Sequence, residues 1–206
     1  MEITAVMVKE LRSQSGAGIM ECKSALKETK GDVEEAITFL RKKGLAKADK
    51  KAGRDTAEGR IGTYIHQGNK IGVMVQLNCE TDFVANTPDF QELVQDIAMH
   101  IAAAKPRFAT REEVTEDILG KEREIFAHQA KESGKPENII EKIVTGKMEK
   151  FYEENCVLEQ SFIKDNTISI GDLIKQKIAL LGKNINIGQF TRFEIKWTSR
   201  FIKGCC

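Results

Sequence analysis

The sequence predicts a change from strand to helix within one short stretch, Asn78-Cys79-Glu80-Thr81-Asp82-Phe83-Val84-Ala85-Asn86. This stretch follows an alternating apolar run over residues 71–77, which predicts a β-strand, and precedes Thr87-Pro88, which predicts a helix start. A large aromatic beside a carboxylate at such a corner can reach into a partner or a cleft. The alternative is that Phe83 is a core residue and Asp82 caps the next turn, because most aromatic residues are buried.

The residues on either side of this corner predict a hairpin and a helix. Period-two alternation runs over Arg60-Ile61-Gly62-Thr63-Tyr64-Ile65-His66, and Gln67-Gly68-Asn69-Lys70 has the composition of a turn. After the corner, a helix is predicted from Pro88 to a stop at Lys105-Pro106. Its predicted buried stripe comprises Phe90, Leu93, Val94, Ile97, Ile101 and Ala102.

In the remainder of the chain, the sequence predicts both helices and strands. Helical patterns follow Thr110 and the break at Gly134-Lys135-Pro136, and another helix is predicted over residues 172–181. Strands are predicted over residues 167–170 and 185–195. Strands that are first paired and later separated by helices predict an α+β core, with an antiparallel sheet packed against helices.

The N-terminal residues predict a compact three-helix module. Helices are expected over residues 4–14 and 19–29, and a third helix is expected to be capped by Asp32 and to end at Gly44. The basic residues that follow are interpreted as a hinge or a frayed helix. We therefore expect a module with its linker over residues 1–53, an α+β core over 54–195 and an atypical tail over 196–206.

Charge and hydropathy argue against a membrane protein and give weak support for nucleic-acid binding. The 206 residues carry 32 basic and 31 acidic side chains, for a net charge of +1. The basic excess is concentrated in residues 41–54, which could neutralise RNA phosphates. A solvated linker is the favoured interpretation, because no aromatic side chains for base stacking are interleaved there. No apolar leader or membrane-spanning window occurs, and we expect a cytoplasmic protein.

Motifs for catalysis, nucleotide binding and metal binding are not found. The cysteines at positions 22, 79, 156, 205 and 206 have no metal-ligand spacing with the histidines at 66, 100 and 128. Neither a phosphate-binding loop nor a dinucleotide fingerprint is present. We therefore expect a binding protein without cofactor or metal, and the alternative is an enzyme whose active-site residues are scattered along the sequence.

Several ordered motifs resemble those of bacterial elongation factor Ts. The N-terminal motifs resemble the ubiquitin-associated-type module that opens this family: Val8-Lys9-Glu10-Leu11-Arg12, Gly16-Ala17-Gly18-Ile19-Met20-Glu21-Cys22-Lys23-Ser24-Ala25-Leu26, Gly31-Asp32-Val33-Glu34-Glu35-Ala36 and Leu40-Arg41-Lys42-Lys43-Gly44. Glu80-Thr81-Asp82-Phe83-Val84-Ala85 resembles the central motif of the family, and Gly134-Lys135-Pro136 and Leu158-Glu159-Gln160-Ser161-Phe162-Ile163-Lys164-Asp165 resemble its later core. The resemblance covers about residues 3–195 in the same order.

This resemblance implies a guanine nucleotide exchange factor for the GTPase elongation factor Tu. It implies that a wedge enters the partner near its Mg²⁺ site, and the matching residues are Thr81, Asp82, Phe83 and Val84. It also implies that the N-terminal module anchors the partner, and the matching residues are Leu11, Ile19 and Met20. The alternative for these three is the core of the module itself.

Two departures from the family pattern shape the remaining expectations. The long members of the family carry a coiled-coil insertion, for which this chain has no room. The chain therefore resembles the short form of the family, and this resemblance implies a homodimer. The tail from Lys196 to Cys206 does not match, and whether Cys205 and Cys206 form intermolecular disulfides is left open. The rival functions are an RNA-binding, ribosome-associated factor and an adaptor whose module binds ubiquitin-like folds.

Overall fold

The computed structural model describes residues 3–132 and 136–195, and in them it confirms the predicted α+β class. The N-terminal helices are α1 (Ala5–Ser15), α2 (Ile19–Glu28) and α3 (Val33–Asp49). The central elements are β1 (Glu58–Ile65), β2 (Ile71–Cys79), α4 (Asp82–Ala85) and α5 (Pro88–Ala104). The later elements are α6 (Glu116–Glu132), α7 (Glu137–Asn155), β3 (Ser161–Phe162), β4 (Asp165–Ser169), α8 (Ile170–Leu181) and β5 (Ile185–Glu194).

Local capping marks the start and end of α1 and the start of α3 where the sequence predicts them. The Thr4 hydroxyl accepts a hydrogen bond from the Met7 amide at the start of α1, and Gly16 ends that helix with φ of 65°. The Asp32 carboxylate accepts a hydrogen bond from the Glu35 amide at 2.8 Å and begins α3. The core between these helices contains Val8, Leu11, Cys22, Ala25, Leu26 and Ala36.

The prediction that α3 ends at Gly44 is wrong. The helix continues to Asp49, so much of the basic stretch is regular helix and not a hinge. Glycine inside a helix costs about 1 kcal/mol relative to alanine. Here it allows close packing, because a Cβ on Gly44 would lie 3.2 Å from the Cβ of Ala179 in α8. Tertiary packing therefore overrides the local stop signal.

The hairpin β1–β2 is confirmed and belongs to a three-stranded sheet of order β1-β2-β5. Side chains Val73, Val75 and Leu77 of β2 are buried. On β1, a Cβ on Gly62 would collide with a methyl carbon of Val94, so α5 packs directly against this face of the sheet. The six predicted stripe residues of α5 are all buried.

The contacts divide the chain into two compact units. One contains the residues up to Gly59 together with Asn78–Gln91 and Asp172–Asn186, and the other contains Arg60–Leu77, Glu92–Gly171 and the residues from Ile187. The domain boundary expected after residue 53 stays a prediction about which segments fold on their own. The tail expected over 196–206, with Cys205 and Cys206, lies outside the described residues. Over the described ranges, no helix has the length and apolarity needed to cross a membrane.

Candidate functional site

The single turn α4 exposes Phe83 and buries its neighbours. Thr81 is extended, with φ of −145° and ψ of 149°, and its carbonyl accepts hydrogen bonds from the amides of Val84 and Ala85 at 3.1 and 3.3 Å. Phe83 is 82% exposed, whereas Val84 and Ala85 are buried. This exposure contradicts the alternative that Phe83 is a core residue. Val84, one of the four predicted contact residues, instead lies beneath the ring-bearing turn.

Side-chain hydrogen bonds fix the backbone on both sides of Phe83. The exposed Asp82 carboxylate, on the first residue of the turn, accepts a hydrogen bond from the Phe83 amide at 2.8 Å. Thr87 caps the start of α5, because its hydroxyl accepts from the Phe90 amide at 3.3 Å and donates to the Val84 carbonyl at 2.8 Å. The Phe83 ring is therefore carried by a helical turn whose backbone is fixed by hydrogen bonds at both ends.

Glu80 connects this corner to two distant segments and was not recognised as a site residue from the sequence. Its carboxylate accepts hydrogen bonds from the Asn184 amide at 2.7 Å and from the Lys183 ammonium at 3.2 Å, and Arg54 lies at 3.5 Å. The Asn184 amide, and after it Lys183, hold the pKa of the Glu80 carboxyl below its ordinary value against the opposing effect of burial. Buried Asn184 also donates to the carbonyls of Arg54 and Ala52, at 2.8 and 3.2 Å.

The start of α2 presents two of the three predicted anchor residues. Ile19 is 55% exposed and Met20 is 76% exposed, directly after the extended Gly18. Leu11 is fully buried in the core of the module, as the alternative interpretation held. Val6 is also largely exposed, on the face of α1 away from the buried Val8 and Leu11, and was not recognised from the sequence as a site residue.

A groove with a basic rim lies beside Ile19. It has a volume of about 450 Å³ and is lined by Ile3, Ala5, Val8, Lys9, Arg12, Ile19 and Lys23. Its described lining residues bring three cationic side chains and no carboxylate to an apolar floor. Such a groove can accept an apolar side chain from an acidic segment of a partner.

The anchor residues and the corner belong to the same compact unit of the chain. At the corner, this unit exposes Phe83 next to the Asp82 carboxylate. At the start of α2, it exposes Ile19 and Met20 next to the cations of the groove. In the part of the chain that the structure describes, no three His, Cys, Asp or Glu side chains are grouped to hold a metal ion. The arrangement is suited to binding a protein surface.

Comparison with known proteins identifies the family. The family model described as elongation factor TS matches residues 3–196. Elongation factor Ts of Fervidobacterium nodosum is 59% identical over 95% of this chain and 99% of its own length. Those of Solibacter usitatus and Thermosipho melanesiensis are 58% and 55% identical, each over 94% of this chain and over 92% and 98% of their own lengths. The chain belongs to the elongation factor Ts family.

Proposed function

We propose that this protein is a guanine nucleotide exchange factor for elongation factor Tu and promotes GDP release during translation elongation. The observation that carries the proposal is the exposed Phe83 on a fixed turn, in a chain that belongs to the elongation factor Ts family. An 82% exposed aromatic ring between buried neighbours contributes little to this chain's own core. Its apolar surface is available for a partner.

Exchange requires only a difference in affinity between two states of the partner. A GTPase holds GDP through phosphate-binding backbone amides and a bound Mg²⁺ ion. A protein that binds the nucleotide-free state more tightly must weaken GDP binding by the same factor. This activity needs no catalytic acid, base or cofactor in the exchange factor, and we propose that the chain is not an enzyme in that chemical sense.

We propose that Phe83 and Asp82 form the wedge near the partner's Mg²⁺ site. A rigid ring displaces packed elements between discrete positions, because close-packed interiors do not deform gradually. The exposed Asp82 carboxylate brings negative charge toward phosphate and Mg²⁺ and disturbs their balance without acting as a ligand. Thr81 and Val84 support the wedge: Thr81 through its carbonyl hydrogen bonds and Val84 through its burial.

The N-terminal module supplies the anchor in this proposal. Ile19 and Met20 contact the partner directly, and the groove beside Ile19 accepts an apolar side chain. The cations Lys9, Arg12 and Lys23 on its rim favour an acidic partner segment. Leu11 acts from beneath by fixing α1 in the module core, because it is fully buried in the unbound chain.

We further propose that the protein is a cytoplasmic homodimer that does not bind nucleic acid directly. The sheet face opposite α5 exposes Ile61, Ile65, Met74 and Phe193. Alternation along each strand places these side chains on one face, since Gly62 and Val73 face α5 and Arg192 donates to the Ala102 carbonyl of α5. A three-stranded sheet with an apolar outer face is stabilised by a covering layer, and a second copy supplies a matching one.

The test of this function is equilibrium linkage. The affinity of the chain for elongation factor Tu is measured with the GTPase nucleotide-free and GDP-bound, and the GDP affinity is measured with and without the chain. We expect tighter binding to the nucleotide-free form, and the two ratios must agree. Equal affinity for both forms would refute exchange activity, and binding to RNA alone would favour the rival function.

A further inference from the structure

We infer that helix α8 holds the anchoring module and the Phe83 corner in one fixed arrangement, and that Gly44 and Ala179 form the joint that sets it. The inference rests on the proposed function, since it concerns how anchor and wedge act together on one partner. All of its contacts lie within the compact unit that contains the module, the corner and the segment Asp172–Asn186.

On the module side, α8 approaches glycines in α3 and at the end of α1. A Cβ on Gly44 would lie 3.2 Å from the Cβ of Ala179, and a Cβ on Gly16 would lie 3.5 Å from a methyl carbon of Leu180. An ion pair between Lys175 and Asp49 at 2.9 Å adds a second contact between the two helices. Because α3 runs unbroken through Gly44, this joint orients the whole helix.

On the other side, the same helix and its following turn hold the corner. The Lys177 ammonium lies 2.8 Å from the Asp89 carboxylate, in the first turn of α5. Lys183 and Asn184 donate to Glu80, three residues before Phe83. Residues 175–184 therefore contact both the module and the corner, and they connect the two rigidly.

The joint is a localised contact and not a continuous core. A cavity of about 330 Å³ lies beside it, lined by Ile37 and Leu40 on the module and by Gln176, Ala179 and Leu180 on α8. Because packing beside the joint is incomplete, the angle between the helices is fixed mainly by the close approach at Gly44 and not by a continuous core. The approach at Gly44 is thus the contact that sets the arrangement, and a side chain there changes it while each side stays folded.

A fixed spacing has a measurable consequence for two-point binding. When two binding elements are held correctly, the second binds intramolecularly, and this gain is lost when the geometry does not allow both to engage. A widened joint should therefore raise the concentration of factor needed for half-maximal GDP release. The maximal rate at saturation should be preserved, because the wedge still reaches its site.

The first experiment compares Gly44→Leu with Gly120→Leu. Both glycines lie inside helices, but a Cβ on Gly120 has nothing within 4 Å, so this variant controls for the loss of a helical glycine. We expect Gly44→Leu to raise the half-saturating concentration about tenfold or more, with an unchanged maximal rate and with Gly120→Leu at parental values. A Gly44→Leu protein indistinguishable from Gly120→Leu would overturn the inference.

The second experiment fixes the joint and remains decisive if Gly44→Leu fails to fold. Cysteines are introduced together at Gly44→Cys and Ala179→Cys, because the 3.2 Å separation of the two β-carbon positions is near the range of disulfides. The same protein carries Cys205→Ser and Cys206→Ser, so that oxidation acts on the new pair. We expect the oxidised protein to keep the half-saturating concentration of its reduced form. If oxidation raises that concentration, the module must leave α8 to function, and the inference is wrong. If the parental protein does not accelerate GDP release from elongation factor Tu either, the proposed function itself is wrong.

Discussion

His100 shows how one buried side chain makes stability depend on pH. It is fully buried on α5, and its Nε2 atom lies 3.0 Å from Oε1 of Gln160. Because the Gln160 amide nitrogen donates to the Glu154 carbonyl, its oxygen accepts and His100 Nε2 carries the proton. His100 Nδ1 has no hydrogen-bond partner in the described part of the chain. Protonation at Nδ1 would therefore place an uncompensated charge in the core.

We predict that His100 lowers the free energy of unfolding as the pH falls below about 6.5. Burial lowers the pKa of His100 in the folded state, so the unfolded chain takes up the proton first and gains stability. The loss has a limiting slope of about 1.4 kcal/mol per pH unit and continues until the folded-state pKa is reached.

The measurement is thermal unfolding at about pH 7.5 and about pH 5.5 of the parent, His100→Gln and His128→Gln. His100→Gln should flatten the pH dependence, although it lowers the melting temperature at neutral pH through altered packing. His128 is exposed, so His128→Gln should keep the parental dependence. Equal pH dependence in the parent and His100→Gln would contradict the assignment.

At the scale of elements, the carboxylate of Glu80 joins the end of β2 to the turn between α8 and β5. The two partners lie 104 residues apart in sequence, at Glu80 and Asn184. Local patterns predicted the strand, the turn and the corner, because capping and alternation act over a few residues. They did not predict which turns meet in space, and for the same reason they placed the end of α3 at Gly44, where Ala179 in fact packs.

We predict that Glu80→Ala lowers the free energy of unfolding by about 1–3 kcal/mol, because the buried Asn184 amide loses its acceptor. Glu80→Gln keeps a neutral acceptor and should lose less. The depressed folded-state pKa of Glu80 means that its charge-dependent stability is present above the unfolded value of about 4.3 and is lost as the pH falls through the folded value.

Urea unfolding of both variants at neutral pH tests this prediction. The loss linked to His100 begins below about pH 6.5 and the loss linked to Glu80 begins below about pH 4.3, so the two effects differ in the pH at which they start. If Glu80→Ala unfolds at the parental urea concentration, the carboxylate does not hold the corner.

At the scale of the whole molecule, the described residues leave an exposed apolar face on the outer side of the sheet. The sequence predicted the strands β1 and β2 and their alternation, and so which side chains of β2 are buried, but it did not predict the short strand β3. It did not show Phe83 as exposed, because that depends on how the one-turn helix α4 is oriented by its hydrogen bonds. The expected homodimer likewise depends on which side chains the folded sheet exposes together, and Ile61 and Phe193 are among them.

We predict that the parental chain sediments as a dimer at about tens of micromolar, a range in which modest interfaces assemble. Phe193→Glu should shift it to a monomer, because it places a charge within an apolar interface. Ile125→Glu introduces the same charge on the exposed face of α6 and should leave the dimer intact.

Sedimentation is run with and without reductant. A parental monomer at these concentrations would contradict the prediction. A dimer that disappears only on reduction would assign the association to Cys205 and Cys206, which lie outside the described residues.

The release of labelled GDP from elongation factor Tu, with the parental chain and with Phe83→Ala at saturating concentration, tests the central proposal most directly. We expect the parent to accelerate release, and Phe83→Ala to reduce that acceleration about 5–150-fold, the range of typical coupling energies. Because the ring is 82% exposed, its removal should change the free energy of unfolding by no more than about 0.5 kcal/mol. Phe90→Ala, at a fully buried position, should cost about 3–5 kcal/mol and serves as the contrast. No acceleration by the parent, or a stably folded Phe83→Ala that releases GDP at the parental rate, would contradict the proposal.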